Sequence, residues 1–132
     1  LFHVTRSATT RRRVLSGYDV NWLSGHWAGG NGTNPYSGVA FHGQWGSAGE
    51  PSVDIHGTNW FYATDQNNLF RSNGVTRSTY SGGSSARLAI NQGFNAELSY
   101  FDVAEIIVYN RTLNSTEYQA VEAYLAAKYG IT

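Results

Sequence analysis

Cysteine is absent from this sequence, which excludes disulfide staples, thiolate metal sites and cysteine nucleophiles. A single core must therefore hold the fold, and 132 residues with 41% hydrophobic content suffice for one core and not for two. Charge is also scarce, at 14% of residues against an ordinary share of about 25%. The nine basic and nine acidic residues cancel to zero net charge, so the basic excess that holds a phosphate backbone is missing. No apolar run approaches the ~20 residues of a membrane span. Leu1–Val4 is too short for a signal-peptide core, and Arg6 follows it. Methionine is absent as well, and Leu1–Arg6 reads as a strand already in progress, so an upstream piece of the parent chain is expected.

What is abundant is glycine, at 15 residues, and aromatic side chains, with nine Tyr and four Trp. Together with many Ser, Thr and Asn, this is a strand-and-turn composition. Strand signals recur at Leu1–Arg6, Val14–Ser16, Val20–Ala28, Gly38–Trp45, Thr58–Asp65, Asn67–Ser72, Val75–Tyr80, Arg87–Asn91 and Val103–Tyr109. In the fifth, Trp60, Tyr62 and Thr64 share one face, and Phe61 and Ala63 the other. Asn73-Gly74 predicts a type I′ hairpin turn, because both central residues need positive φ. Leu88 and Ile90 are expected inward. Val103–Tyr109 is apolar on both faces, so something is expected to cover each side.

The cover is one helix, predicted over Ser115–Tyr129. Asn114 is a good N-cap with Glu117 at N3, a capping-box arrangement, and Leu113 and Tyr118 can form a hydrophobic staple. Tyr118, Val121 and Leu125 fall on one face, Glu122 and Lys128 lie away from it, and Gly130 marks the stop. Many short strands followed by one helix predict an all-β fold: a two-sheet antiparallel jelly-roll sandwich with one short C-terminal α-helix, in a single domain over residues 1–132. Arg6, Arg11, Arg12 and Arg13 read as a solvated turn rather than an anion site. Ala28-Gly29-Gly30-Asn31-Gly32 lacks the lysine and the strand–helix context of a phosphate loop.

The stretch Ala104-Glu105-Ile106-Ile107-Val108-Tyr109-Asn110-Arg111-Thr112-Leu113, then Thr116-Glu117, then Glu122 to Ile131, resembles the C-terminal signature of laminin-G-like, concanavalin A-like domains of the bacterial and phage type. Upstream, Arg12-Arg13-Val14-Leu15-Ser16-Gly17-Tyr18, Asn21-Trp22-Leu23, Asn59-Trp60 and Arg71-Ser72-Asn73-Gly74 are similar to the same family in order and approximate spacing. The resemblance implies a jelly roll of roughly a dozen strands, including one before Leu1 that this chain lacks. It implies display on a secreted protein, cell surface or virion surface. It does not fix a function, because this fold serves lectins, glycosidases, adhesins and structural modules alike.

Glycosidases of this fold cleave β-glucans with alternating carboxylates on one strand. The nearest acids here, Asp102 and Glu105, are three residues apart and would face opposite ways on a regular strand. No Gly-x-Ser-x-Gly elbow is present. The resemblance admits a Ca²⁺ site, for which Asp54 and Asp65 lead, with Asp19 and Asn67 behind them, although no loop clusters acids as an EF-hand does. His3, His26, His42 and His56 are scattered, with no zinc pattern.

Sugars present C–H faces that stack on aromatic rings, and hydroxyls that amides and backbone groups bind. Tyr36 and Trp45, with Asn31 and Asn34, sit in or beside loops, where binding residues gather. They are the candidate ligand-binding residues, whereas Trp22 and Trp60 read as core. The function expected is a non-catalytic carbohydrate-binding or adhesion module whose partner is a glycan or surface polysaccharide. The alternative is a structural or assembly module of a virion or surface array that packs against neighbouring copies or other subunits. Neither reading involves nucleic acid or a membrane span.

Overall fold

Alternation along the first strand sets the layers. In β1 (Phe2–Ser7), Phe2 and Val4 point one way into an apolar cluster, while His3, Thr5 and Ser7 point the other way into a polar one. The computed structural model describes residues 1–8, 12–27, 36–45, 58–79, 86–94 and 97–132. The further strands are β2 (Leu15–Gly17), β3 (Trp22–Trp27), β4 (Tyr36–His42), β5 (Phe61–Gln66), β6 (Leu69–Ser72), β7 (Val75–Thr79), β8 (Leu88–Ile90) and β9 (Phe101–Ile107), followed by α1 (Ser115–Tyr129). One sheet runs β7-β6-β5-β1-β9 and the other β4-β3-β2-β8, with every described pairing antiparallel. The protein is thus mostly β, two antiparallel sheets with one C-terminal helix.

The helix lies on the outer face of the five-stranded sheet. Phe2, Val4 and Tyr62 from the sheet meet Leu113 and Leu125, with Trp60, Ile107, Tyr118 and Val121 packed around them. Leu125 is fully buried, worth roughly 1.5–3 kcal/mol relative to exposure. The caps form as the sequence predicts. Asn114 Oδ1 accepts from the Glu117 N–H at 3.0 Å, and Glu117 returns the bond to the Asn114 N–H at 2.9 Å. Gly130 ends the helix at φ 64°, and the β6–β7 turn takes Asn73 and Gly74 through φ 47° and 72°. Between the sheets, Ala40, Phe61, Ala63 and Phe70 form a second cluster.

Four expectations are corrected. Glu122 is buried rather than solvent-facing: its carboxylate accepts hydrogen bonds from Thr64 Oγ1 at 2.7 Å and Arg71 Nε at 2.8 Å, tying α1 to β5 and β6. In β9 the register against β1 slips between Val4 and Thr5, because Glu105 opposes Val4 and Val103 opposes Thr5. The extra residue, Ala104, is a β-bulge that breaks the alternation. Asp102 and Glu105, opposite Arg6 and Val4, therefore share the helix-side face. Each is engaged there, Asp102 by Arg6 at 2.7 Å and Glu105 by Lys128 at 3.0 Å. Leu88 and Ile90 lie 40% and 48% exposed at the sheet edge, and Ala89 is the buried residue of β8. Arg13 is not solvated either: it is buried against Glu97 and donates to Asn21 Oδ1 at 2.7 Å.

Candidate functional site

The outer face of the four-stranded sheet carries an aromatic row. In β4, Ala40 points into the intersheet cluster and so does its register partner Ser24, while Phe41 and its partner Leu23 point to the opposite face, where Leu23 is fully buried and Phe41 only partly. In β3, His26 points inward and Trp27 outward. Beyond β4 the chain reverses, with the His42 N–H donating to Gln44 O and Gly43 at φ 80°, and this lays Trp45 beside Phe41. The Trp45 ring stands edge-on to Phe41 at 5.1 Å and edge-on to Trp27 at 5.0 Å. All three rings are half-buried, so each packs on one side and leaves part of its surface to solvent. Such edge-to-face contacts are worth about 0.5–1.5 kcal/mol each and hold the row in place before any ligand arrives.

Of the residues singled out from the sequence, Trp45 stands at the centre of this row. Tyr36 opens β4, directly opposite Trp27. Asn31, Asn34 and Asp54 lie outside the described residues. The sequence offers Trp27 only as one of its surplus aromatic residues, and Phe41 only as a residue of the Gly38–Trp45 strand. Their signal was there in combination: a Gly/Asn-rich stretch between two strand patterns makes Trp27 and Tyr36 cross-strand neighbours. Trp22 faces inward and stacks on His42 at 5.4 Å, and Trp60 packs near the helix under the Arg6 guanidinium at 4.9 Å.

The space behind the row, between the sheets, is polar in an unusual way. His3 Nδ1 is hydrogen-bonded to Thr5 Oγ1 at 3.0 Å, and His3 Nε2 to Ser24 Oγ at 3.2 Å. Thr5 Oγ1 continues to His26 Nε2 at 2.9 Å, and His26 Nδ1 meets Ser7 Oγ at 2.9 Å and Ser37 Oγ at 3.1 Å. Burial and the neighbouring His26 push His3 well below the ordinary histidine range. The single Thr5 hydroxyl proton can be donated to one ring while the oxygen accepts from the other, which two neutral imidazoles satisfy. Gly25, at φ +100°, is required beside this seam: an added Cβ would lie 2.6 Å from His3 Cε1.

Asp65 is buried in the same interior, with Oδ1 2.9 Å from His42 Nε2 and with Oδ2 lacking a hydrogen-bond partner. A calcium ion needs six to eight converging oxygens. Here an imidazole meets the carboxylate, and among the described residues no group of three or more His, Asp or Glu could hold a metal. The described part of the chain therefore does not fit a Ca²⁺ site at Asp65. No helix among the described residues is long and apolar enough to cross a membrane. No family model, curated protein or solved structure matches the chain.

Proposed function

We propose that the chain is a non-catalytic carbohydrate-binding or adhesion module of the laminin-G-like, concanavalin A-like kind, displayed on a secreted, cell-surface or virion-surface protein. The observation that carries this reading is the Phe41–Trp45–Trp27 row, pre-assembled and partly exposed on the outer face of a sheet. A pre-ordered ring binds without first losing rotamer freedom, so its stacking energy goes into affinity. The row would take the C–H face of a neutral sugar. Asn31 and Asn34, in the segment joining Trp27 to Tyr36, would supply amides for its hydroxyls. On a glycan array, Trp45→Ala is expected to lose at least tenfold in binding to whichever glycan the native chain retains, with its melting temperature showing that it folds. Unchanged binding by a folded Trp45→Ala chain would remove the row as the site. Adding a chelator tests calcium independently: a loss of binding would point to donors outside the described residues.

A second reading, a structural or assembly module, is favoured by a different edge. Leu88, Ile90 and Val108 are exposed where β8 and the end of β9 approach, beside a cavity of about 200 Å³ lined by Leu1, Trp22, Ala86, Leu88 and Val108. Open strand edges with apolar side chains recruit further strands. Light scattering over a hundredfold concentration range is expected to show a strict monomer if the glycan reading holds. Concentration-dependent growth would favour assembly.

A further inference from the structure

Among the described members of the arginine cluster, Arg6, Arg12 and Arg13, Arg12 is the one without a carboxylate partner. Its backbone N–H donates to Ser99 Oγ at 2.7 Å, which fixes the residue, yet its Nε is buried without a hydrogen-bond partner. The adjacent carboxylate of Glu97 is taken by Arg13. Among the described residues no acid pairs with Arg12. A buried guanidinium donor left unmatched is costly, and a ligand or ion beside it is one physical account of why it is kept.

Arg12 lines a concavity of about 380 Å³ together with Asn91, Leu98, Ser99 and Tyr100. The other walls are specific in chemistry. Asn91 is held at φ 52°, and its Oδ1 accepts the Ser99 N–H at 2.6 Å, which leaves its amide NH₂ to donate. The Ser99 hydroxyl accepts from Arg12 and keeps its own proton to give. Tyr100 and Leu98 are 68% and 53% exposed and form the apolar rim. A planar cationic fork, an amide donor, a hydroxyl donor and an aromatic rim together match a ring that bears a carboxylate, neighbouring hydroxyls and a C–H face.

We propose that this concavity is a binding site for an acidic sugar, a uronate whose carboxylate pairs with Arg12 and whose hydroxyls meet Asn91 and Ser99. The site is formed by other residues than the aromatic row, and it takes from the proposed function only that the ligand is a glycan. A peptide carboxylate would use the fork but would leave the amide and hydroxyl donors unmatched.

The test is an NMR titration of the chain with methyl β-glucuronoside, methyl β-glucoside and inorganic phosphate. The glucuronoside is expected to shift the Arg12 Nε–H and the Asn91 and Ser99 amides saturably, at a concentration at least tenfold below that of the neutral glucoside. Arg12→Gln should abolish this preference. Arg6→Gln, which removes an exposed charge paired with Asp102, should keep it. Equal response to the two glycosides, a preference that survives Arg12→Gln, or phosphate acting at the same concentration as the glucuronoside would each overturn the proposal. Because the titration is read at Arg12, Asn91 and Ser99, loss of the aromatic row as a glycan site leaves this result interpretable, and the converse also holds.

Discussion

Glu122→Ala is expected to destabilise the chain by about 3–5 kcal/mol, the loss found when one partner of a buried ion pair is removed. The Glu122 and Arg71 side chains are only 6% and 11% exposed. Glu122 Oε1 accepts from Arg71 Nε at 2.8 Å and Thr64 Oγ1 at 2.7 Å, and Oε2 accepts from Arg71 Nη2 at 3.1 Å. Arg71 also donates to Thr76 Oγ1 at 2.7 Å and lies over the Tyr118 ring at 5.1 Å. Hydrogen bonding to Glu122 raises Arg71 above its ordinary range; without the carboxylate that support is gone, but an arginine guanidinium stays charged in proteins regardless, so it is left with no buried anion to face. Urea unfolding monitored by circular dichroism would measure this as a lower midpoint at unchanged slope. The double substitution Arg71→Met with Glu122→Leu should recover most of the loss, because it removes both desolvation costs together. A loss below about 1 kcal/mol for the single change would show that the pair is effectively solvated.

Acid is expected to weaken the fold in a window set by histidine rather than by carboxylates. His3 is fully buried, and its pKa lies well below the ordinary value of 6.5 through burial first and His26 second. The unfolded chain therefore binds a proton that the folded chain refuses. The stabilising contribution is complete above pH 6.5 and is lost progressively as pH falls below it, at about 1.4 kcal/mol per pH unit for one such group. The groups around the seam are His26, the Leu1 ammonium, and Asp65 with its partner His42. Glu117, by contrast, is held at about 2 by Arg111 and the Asn114 N–H, so its titration falls far below this window. Midpoints measured at pH 7.5, 6.0 and 5.0 should fall steadily, and His3→Gln should flatten the curve whatever its effect at neutral pH. A native chain equally stable at pH 7.5 and 5.0 would contradict the buried neutral seam.

Local chemistry was legible before the structure, and tertiary partnership was not. The helix bounds, the Asn114 capping box, the Gly130 stop and the Asn73-Gly74 turn are each decided by a few adjacent residues, and all appear as read. Glu122 reads as lying away from the apolar stripe because nothing near it in sequence shows its partner Arg71, 51 positions away. The bulge at Ala104 leaves no mark in the hydrophobic pattern, since Val103, Ala104, Ile106 and Ile107 suit either face, so Asp102 and Glu105 were assigned opposite sides. The polar seam is hidden in the sequence for a related reason. His3, Thr5 and Ser7 alternate with Phe2 and Val4, which suits an ordinary half-exposed strand until the second sheet is known to lie over the polar side. At the candidate site, Trp45 and Tyr36 were visible as aromatics near loops. Trp27 and Phe41 needed the β3–β4 register to join them.

The most direct test of the carbohydrate reading uses the four tryptophans as built-in reporters. Each indole N–H gives one resolved resonance, assignable by single Trp→Phe substitutions. On titration with the best glycan from an array, the Trp27 and Trp45 signals are expected to shift together and saturate, while Trp22 inside the sandwich and Trp60 near the helix remain unmoved. Shifts confined to Trp22 and Trp60, or no indole shift under a glycan that binds by another readout, would contradict the outer aromatic row as the binding surface.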